Sequence, residues 1–584
     1  MWERITHTHH TVSNNAPNAM LPIAASGTCQ ETGSAAIRVC FERDKGAGLV
    51  GIVELRQIAL IHDRLGQPTA TGGDGTAFGG NRRNASDGEN RWWLLRAAGP
   101  HPQTALFEAS EHDPVVSVAR FRVCGAGQYT LHVRELLRAP WAQWEDGDWT
   151  ARSGAPPPCM RDWSDGVLLH RHAFRFAPPT DTTSSHSKHH RRGESLCGLG
   201  LWRWKQHVDA TTLDAHRAHV QQRASSHLEQ VHPAPYPNRT DLAPLFSDLT
   251  YVHDAGDETD DMYNTNRLEE AEQTRICLLG DSQMRTLNDA LMQLVLRAAA
   301  ASRTTAHVPS GTKAAASIDA SLDFDEVPGA IGGLMHGWES AGALQRLCRH
   351  GPPTTDMVRQ LTACPKNMNM DAICKRTLCP NVTAHYIRAN YGSELLRPFR
   401  HGHIGHNATS LVDYVGSHCS AVLFNTGQWW ATSKPGKPDG IAGPATPGRY
   451  AAHLRSKYLP LLRSLADTTM ARVAFVATNP YPLNAGGSEF QGARARAYNM
   501  ALCPPGGERR FPHVLHAYNA RVRDACSALR IQYLDTYRIA LPLFDVSSDG
   551  AHYPYEVTPV GAAQAARVLR WLTPSPIGAS GTRS

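Results

Sequence analysis

What constrains this chain most is the way, over its second half, apolar runs of strand length alternate with helical patterns. The runs are Arg275 to Leu279, Val382 to Ile387, Ala421 to Phe424, Val473 to Ala477 and Ile531 to Leu534. Helical patterns follow several of them, at Gln283 to Arg297, Ala451 to Ala466, Leu515 to Leu529 and Pro559 to Leu572. Repeated strand–helix alternation is how a parallel sheet acquires a helical layer on each face. The expected fold is α/β, a doubly wound parallel sheet, and in such sheets the working residues stand at the carboxyl ends of the strands.

The N-terminal part follows a different pattern. From about Ala36 to Leu137, short strands are separated by Gly, Asn and Asp clusters, as in an all-β sandwich. Ala119, Phe121 and Val123 alternate with Arg120 and Arg122; after a turn at 125–127, Tyr129, Leu131 and Val133 alternate with Thr130 and His132. That spacing predicts a hairpin with one buried face. Gly127 to Leu137 resembles the last strand of immunoglobulin-like or filamin-like modules. At 584 residues the chain exceeds the ~250–300 at which one core stops growing. The division expected is a disordered segment 1–35, a β-sandwich 36–140, a linker 141–195, an α/β catalytic domain 196–576 and a tail 577–584. Polar excursions at about 298–319 and 433–448 read as surface insertions.

Charge and cysteine content narrow the function classes. Fifty-nine basic against 53 acidic residues leave a formal +6 with no long single-sign run, so nucleic acid is not an expected partner. No run of about 18 apolar residues is present, so no membrane span is expected. The 30 histidines include tracts around His7, His9 and His10 and around His186, His189 and His190 that read as solvated segments. Thirteen cysteines leave at least one unpaired in a monomer, and Cys277, in an apolar strand, is a candidate free thiol. Cys348, Cys364, Cys374 and Cys379 belong to a loop-like stretch that disulfides would staple. Sequons at Asn84, Asn238, Asn381 and Asn407 suit a secretory protein. The first residues lack an apolar signal region, and the chemistry below favours a true start further upstream.

Three blocks carry chemistry. Ile276 to Leu279 runs into Gly280, Asp281 and Ser282, and Gln283 opens a helix. A serine there is presented outward, and its own N–H stands at the helix start, where negative charge is favoured. The bland alternative is a helix cap, a role Asp and Ser both fill. A serine hydroxyl needs a base, and Asp549, Gly550, Ala551 and His552 precede the C-terminal helix at a spacing that lets Asp549 orient His552. The third block is Phe424, Asn425, Thr426, Gly427, Gln428, Trp429 and Trp430. Asn425 is a candidate oxyanion donor, Gly427 permits close backbone approach, and Trp429 is a candidate sugar-stacking face.

Together, in this order, the blocks resemble the PC-esterase group of SGNH-like proteins, which includes the plant trichome birefringence-like proteins, over about Leu196 to the C-terminus. The resemblance implies an SGNH-hydrolase-like fold with Ser282, His552 and Asp549 as triad and Asn425 as the polar residue of the Asn-Thr-Gly block. It implies O-acetyl transfer or hydrolysis on glycans, transfer slightly preferred, in the secretory pathway. A small acyl donor and a glycan or polysaccharide acceptor would be its partners, with no cofactor or metal. Relatives usually carry His where this chain has Gln428, which puts a ligand role there in doubt. Gly392 is the best candidate for a second oxyanion N–H, and Arg285 completes a GDSxxR pattern. The run His401 to His406 is not assigned to a metal, because the triad needs none. The rival readings are a catalytically silent glycan-binding or adhesion protein and a lipid esterase, the latter opposed by the polar excursions. The oligomeric state stays open.

Overall fold

The structure is a computed structural model that describes residues 22–23, 28–31, 37–43, 49–56, 90–110, 116–124, 126–139, 167–176, 200–204, 249–252, 273–306, 347–348, 350, 373–396, 410–432, 444–469, 471–480, 510, 512–546, 552–553 and 559–573. Asp549, the histidine tracts around His7 and His186, the His401 to His406 run and the sequons at Asn84, Asn238 and Asn407 lie outside the described residues.

The N-terminal unit contains β1 (Pro22–Ile23), β2 (Thr28–Glu31), β3 (Ile37–Arg43), β4 (Leu49–Arg56), β5 (Asn90–Ala98), β6 (Gln103–Leu106), β7 (Glu108–Ala109), β8 (Val116–Val123), β9 (Gly127–Ala139) and β10 (Val167–Phe176). They form two five-stranded sheets, in the orders β1-β10-β9-β5-β6 and β2-β3-β4-β8-β7. Phe41, Val53, Leu55, Phe121 and Val123 of one sheet share a core with Trp93, Leu95, Tyr129, Leu131 and Phe174 of the other. This sandwich outruns the expected 36–140 limits at both ends. Val167–Phe176, expected as linker, pairs antiparallel with β9, and Thr28–Glu31, expected as disordered, pairs with β3.

The hairpin expected at 119–133 is a correction. β8 pairs with β4 and β7, whereas β9 pairs with β10 and β5, so the two strands lie in opposite sheets. Alternation reports that one face of each strand is buried, and two strands facing each other across a core satisfy it as well as two side by side. The Tyr129 hydroxyl donates to the Cys124 carbonyl, fastening the crossing between the sheets.

A two-stranded ribbon, β11 (Leu201–Trp204) with β12 (Leu249–Val252), precedes the second unit. That unit holds β13 (Thr274–Gly280), α1 (Ser282–Ala306), β14 (Ile373–Cys379), β15 (Val382–Arg388), α2 (Leu411–His418), β16 (Ala421–Phe424), α3 (Pro447–His453), α4 (Leu459–Thr468), β17 (Arg472–Val476), α5 (Pro512–Ala528), β18 (Gln532–Leu534), α6 (Thr536–Ala540) and α7 (Pro559–Leu572). The sheet order is β14-β15-β13-β16-β17-β18. All pairings are parallel except that of the edge strand β14, which runs antiparallel to β15 where the cysteine-rich stretch was expected to be loop.

The fold is thus a mixed α/β sheet with helices on both faces. Cys277, Leu279, Val422, Phe424, Val473 and Phe475 point to one side, into a core with residues of α2 to α5. Ile276, Leu278, Ala421, Leu423, Ala474 and Val476 point to the other, against α1 and α7. Counted from β13, the parallel strands lie in the order 2-1-3-4-5, and the direction of winding reverses between β13 and β16.

Cys277 is bonded to Cys419, which overturns its expected free-thiol status; the free cysteine among the described residues is Cys526, buried in α5. Cys348 is bonded to Cys379, and Cys374 is also in a disulfide, so the staple expected in that region is present. Asn381 occupies the exposed β14–β15 turn with φ 64°.

The two units share a boundary through β5, whose residues are apolar toward both sides. Trp93, Leu95 and Ala97 face the sandwich core, while Trp92 and Leu94 belong to the core of the α/β unit. The Trp92 ring stacks on His513 of α5 at 5.4 Å, and His513 Nε2–H donates to the Trp93 carbonyl. Trp202 of β11 donates to the Ile539 carbonyl.

Burial holds three of the imidazoles in the neutral form: His513 is depressed to about 3, and His101 and His385 to about 4. In the unfolded chain each would take up a proton near the ordinary 6.5. Their stabilising effect is therefore fully present above pH 6.5 and is lost as pH falls toward 4. Thermal unfolding followed by circular dichroism should show Tm dropping across that window, and His513→Asn should flatten the dependence.

Candidate active site

The end of β13 is built by close approach. A Cβ at Gly280 would lie 2.4 Å from Met284 Cγ and 2.6 Å from the Asn425 carbonyl oxygen, so only glycine lets β13 pass that near to the loop after β16. The register is fixed on both sides: Asn425 N–H donates to Leu279 O (2.9 Å) and Ala389 N–H to Gly280 O (2.8 Å).

Asp281 caps α1. Its carbonyl accepts the Arg285 N–H and its Oδ1 accepts the Gln283 N–H at 2.8 Å. The hydroxyl of Ser282 takes no part in the cap; its Oγ accepts from Gln428 Nε2 at 3.0 Å. This separates the capping reading from the chemical one, since the cap is Asp281 and Ser282 is left with its oxygen directed at the loop after β16. The Ser282 N–H is in the first turn of α1, where no preceding turn supplies an acceptor.

The loop after β16 is tightly made. Thr426 Oγ1 donates to Asn390 O, and Trp430 Nε1 donates to Tyr391 O and Thr426 Oγ1, joining this loop to the end of β15. Gly427 packs so closely on Thr478 that a Cβ would come within 2.1 Å of its hydroxyl oxygen. Asn425, the expected oxyanion donor, is buried and spends its amide elsewhere: Nδ2 donates to Val476 O at 2.7 Å and to Thr478 Oγ1 at 3.2 Å. Both N–H bonds are thereby used, so Asn425 clamps β16 to the end of β17 and is not available to an oxyanion.

His552 is half-buried and lies near enough to Asp281 to bear on its carboxyl, toward the end of the sheet that carries Ser282. The neighbouring Tyr553 fixes this segment, its hydroxyl shared between Pro480 O (2.8 Å) and Phe544 O (3.0 Å). Burial raises the Asp281 carboxyl to about 7, opposed by the Gln283 N–H, His552, the Gln428 amide and Arg510. A ladder of amides steadies the strand ends around it. Gln283 Oε1 accepts the Asn479 N–H at 3.0 Å, and Gln564 Nε2 of α7 donates to Asn479 Oδ1 at 2.7 Å.

The remaining candidates are distributed as follows. Gly392 follows β15, the strand beside β13, with φ +86°, and its missing Cβ makes room for Phe424 and Tyr458. Trp429 is half-buried and meets Tyr391 edge-on at 6.3 Å, while Trp430 is fully buried core. Arg285 is half-buried one turn after Ser282, near Tyr386, whose hydroxyl donates to Asp281 O. Gln428 is the residue whose contact the sequence reading discounted; its place in the Asn-Thr-Gly block was the available signal. Buried Arg510, close enough to affect Asp281, carried no sequence signal. Among the described residues no group of three or more His, Cys, Asp or Glu side chains is arranged to hold a metal ion.

The arrangement joins a serine oxygen, a carboxamide donor and a helix N-terminus, with His552 near the adjoining Asp281, and these are group types used in nucleophilic acyl chemistry. Gly280→Ala, which forces β13 and the 425–430 loop apart, should cost about 1–3 kcal/mol of stability. It should also slow any reaction of Ser282 out of proportion to that loss, measured as denaturant midpoint against labelling rate. Comparison of the chain with protein-family models, with curated proteins and with solved structures returns no match.

Proposed function

We propose that this chain is a serine acyl enzyme of the SGNH type, related to the PC-esterases, that moves or hydrolyses O-acetyl groups on glycans. The observation that carries the reading is the oxygen of Ser282, released from capping at the switch point of the sheet with a carboxamide donor against it and His552 at the same strand end. The β-sandwich before it is read as immunoglobulin-like.

In this mechanism Ser282 attacks the ester carbonyl as His552 takes its proton, Asp549 orients the imidazole, and the Ser282 N–H, with the Gly392 N–H as second donor, receives the developing oxyanion. Collapse expels the alcohol, which leaves with the proton from His552, and an acyl-serine remains. Attack by water completes an esterase cycle and attack by a sugar hydroxyl a transferase cycle; we favour the transferase. Half-buried Trp429, next in the chain to Gln428, suits one sugar face, and Arg285, one turn after Ser282, suits a polar substrate group. The disulfides Cys277–Cys419 and Cys348–Cys379 support an oxidising compartment, hence the secretory pathway. No helix among the described residues is long and apolar enough to cross a membrane.

Intact-mass labelling with a fluorophosphonate tests this. Wild type should gain one adduct, Ser282→Ala none, and His552→Ala should label at least about 10²-fold more slowly, the scale of a lost general base. A folded wild type that takes no adduct would move the reading to a silent glycan-binding protein.

A further inference from the structure

Gln428 stands where the family this chain resembles usually carries His, and its surroundings define its orientation. The side chain is about 1% exposed, so it does not swing into solvent. Its nitrogen faces two oxygens: Nε2 is 3.0 Å from Ser282 Oγ, and the amide lies against the Asp281 carboxyl, whose charged form it favours. Turning the amide over would set Oε1 against the ionised Asp281 carboxyl, which has no proton to offer it, so the orientation with Nε2 toward Asp281 and Ser282 is the favoured one. Oε1 itself is buried and meets no donor. A buried acceptor without a partner carries a desolvation cost, one that Asn425 Oδ1 also bears.

The backbone holds the side chain there. Gly427, flush against Thr478, precedes it, and the turn after it is closed by Trp430 N–H and Ala431 N–H donating to Gly427 O. Asn425, three residues earlier at the strand terminus, reaches sideways to Val476 and Thr478. Of the two side chains in this block that carry an N–H donor of the carboxamide kind, one is spent on the fold and the other is on the nucleophile.

We propose that Gln428 is a catalytic residue, the side-chain donor that stabilises the charge arising in acylation at Ser282. This inference rests on the serine acyl-enzyme reading. With its acceptor side occupied by Nε2–H, Ser282 Oγ directs its own proton outward, toward a base. As the Oγ–C bond forms and the proton passes to His552, the carbonyl electron pair moves onto the carbonyl oxygen, and the Gln428 N–H follows it from Oγ to that oxygen. When the pair returns, the bond to the leaving alcohol breaks, the alcohol takes the proton from His552, and the amide is again beside Oγ. Asn425 is a positioning residue, acting through the loop that carries Gln428.

The test compares wild type with Gln428→Ala, Gln428→Glu and Gln428→His, with Ser282→Ala as reference. The rate constant for fluorophosphonate labelling and kcat for 4-nitrophenyl acetate should fall about 10²-fold in Gln428→Ala. The fall should be at least as large in Gln428→Glu, which keeps the shape and loses the donor. KM should stay near wild type, the fall in kcat in Gln428→Ala should exceed any fall in Tm, and Gln428→His, with a ring N–H at similar reach, should recover part of kcat. Wild-type rates in both Gln428→Ala and Gln428→Glu, with labelling abolished by Ser282→Ala, would overturn the role of Gln428 and leave the acyl-enzyme reading standing. Loss of rate only in step with loss of Tm would assign Gln428 to the fold. A folded wild type that neither labels nor turns over would overturn both.

Discussion

Everything at the site depends on how β13 is clamped between its two parallel neighbours. The strand is buried on both faces, and its last residue pairs with Arg388 on one side while Leu279 pairs with Phe424 on the other. Because the winding reverses between β13 and β16, the chain leaves β13 toward α1 on one face and β16 toward α3 on the other, which opens a crevice between their ends. A slip of one residue would turn Ser282 away from that crevice and exchange the two hydrophobic faces of the strand. The alternation of Cys277 and Leu279 against Ile276 and Leu278 between separate cores therefore fixes the place of the nucleophile.

The polar groups around Ser282 sort into those that hold the backbone and those that face the oxygen. Asp281 caps the helix, Asn425 ties two strand ends together, and Gln283, Asn479 and Gln564 interlock above the sheet. Each satisfies buried backbone groups that strand ends leave over, a requirement of any sheet whose top is covered. Gln428 differs in its target, because its nitrogen is directed at the hydroxyl oxygen of Ser282. Five neighbouring carboxamides or carboxylates thus do structural work around the one that is held against Ser282.

Much of the α/β unit was legible in the sequence, and the reason is local. Ala421–Phe424 and Pro559–Leu572 have the limits read from their patterns, because an apolar run and an amphipathic period each report burial directly. The edge strand β14 was not legible: Ile373–Cys379 carries Lys375 and a buried Arg376 in place of an apolar run, and its cysteines read as loop staples. The pairing of β8 and β9 was equally hidden, since alternation cannot say across which gap an apolar face is buried. At the site, Gly280, Asp281 and Ser282 could be found from a strand running into a helix. The exchange of duties between Asn425 and Gln428 could not, because it turns on which side chain reaches Val476, a contact across 51 residues.

The two-sided burial of β5 has a consequence for how this chain can vary. Trp92 and Trp93 are adjacent in sequence yet belong to different hydrophobic interiors, one on each side of a single strand. The sandwich is a wall of the neighbouring unit rather than an appendage on a tether. Exchange of one unit for an unrelated module would strip the other of part of its interior.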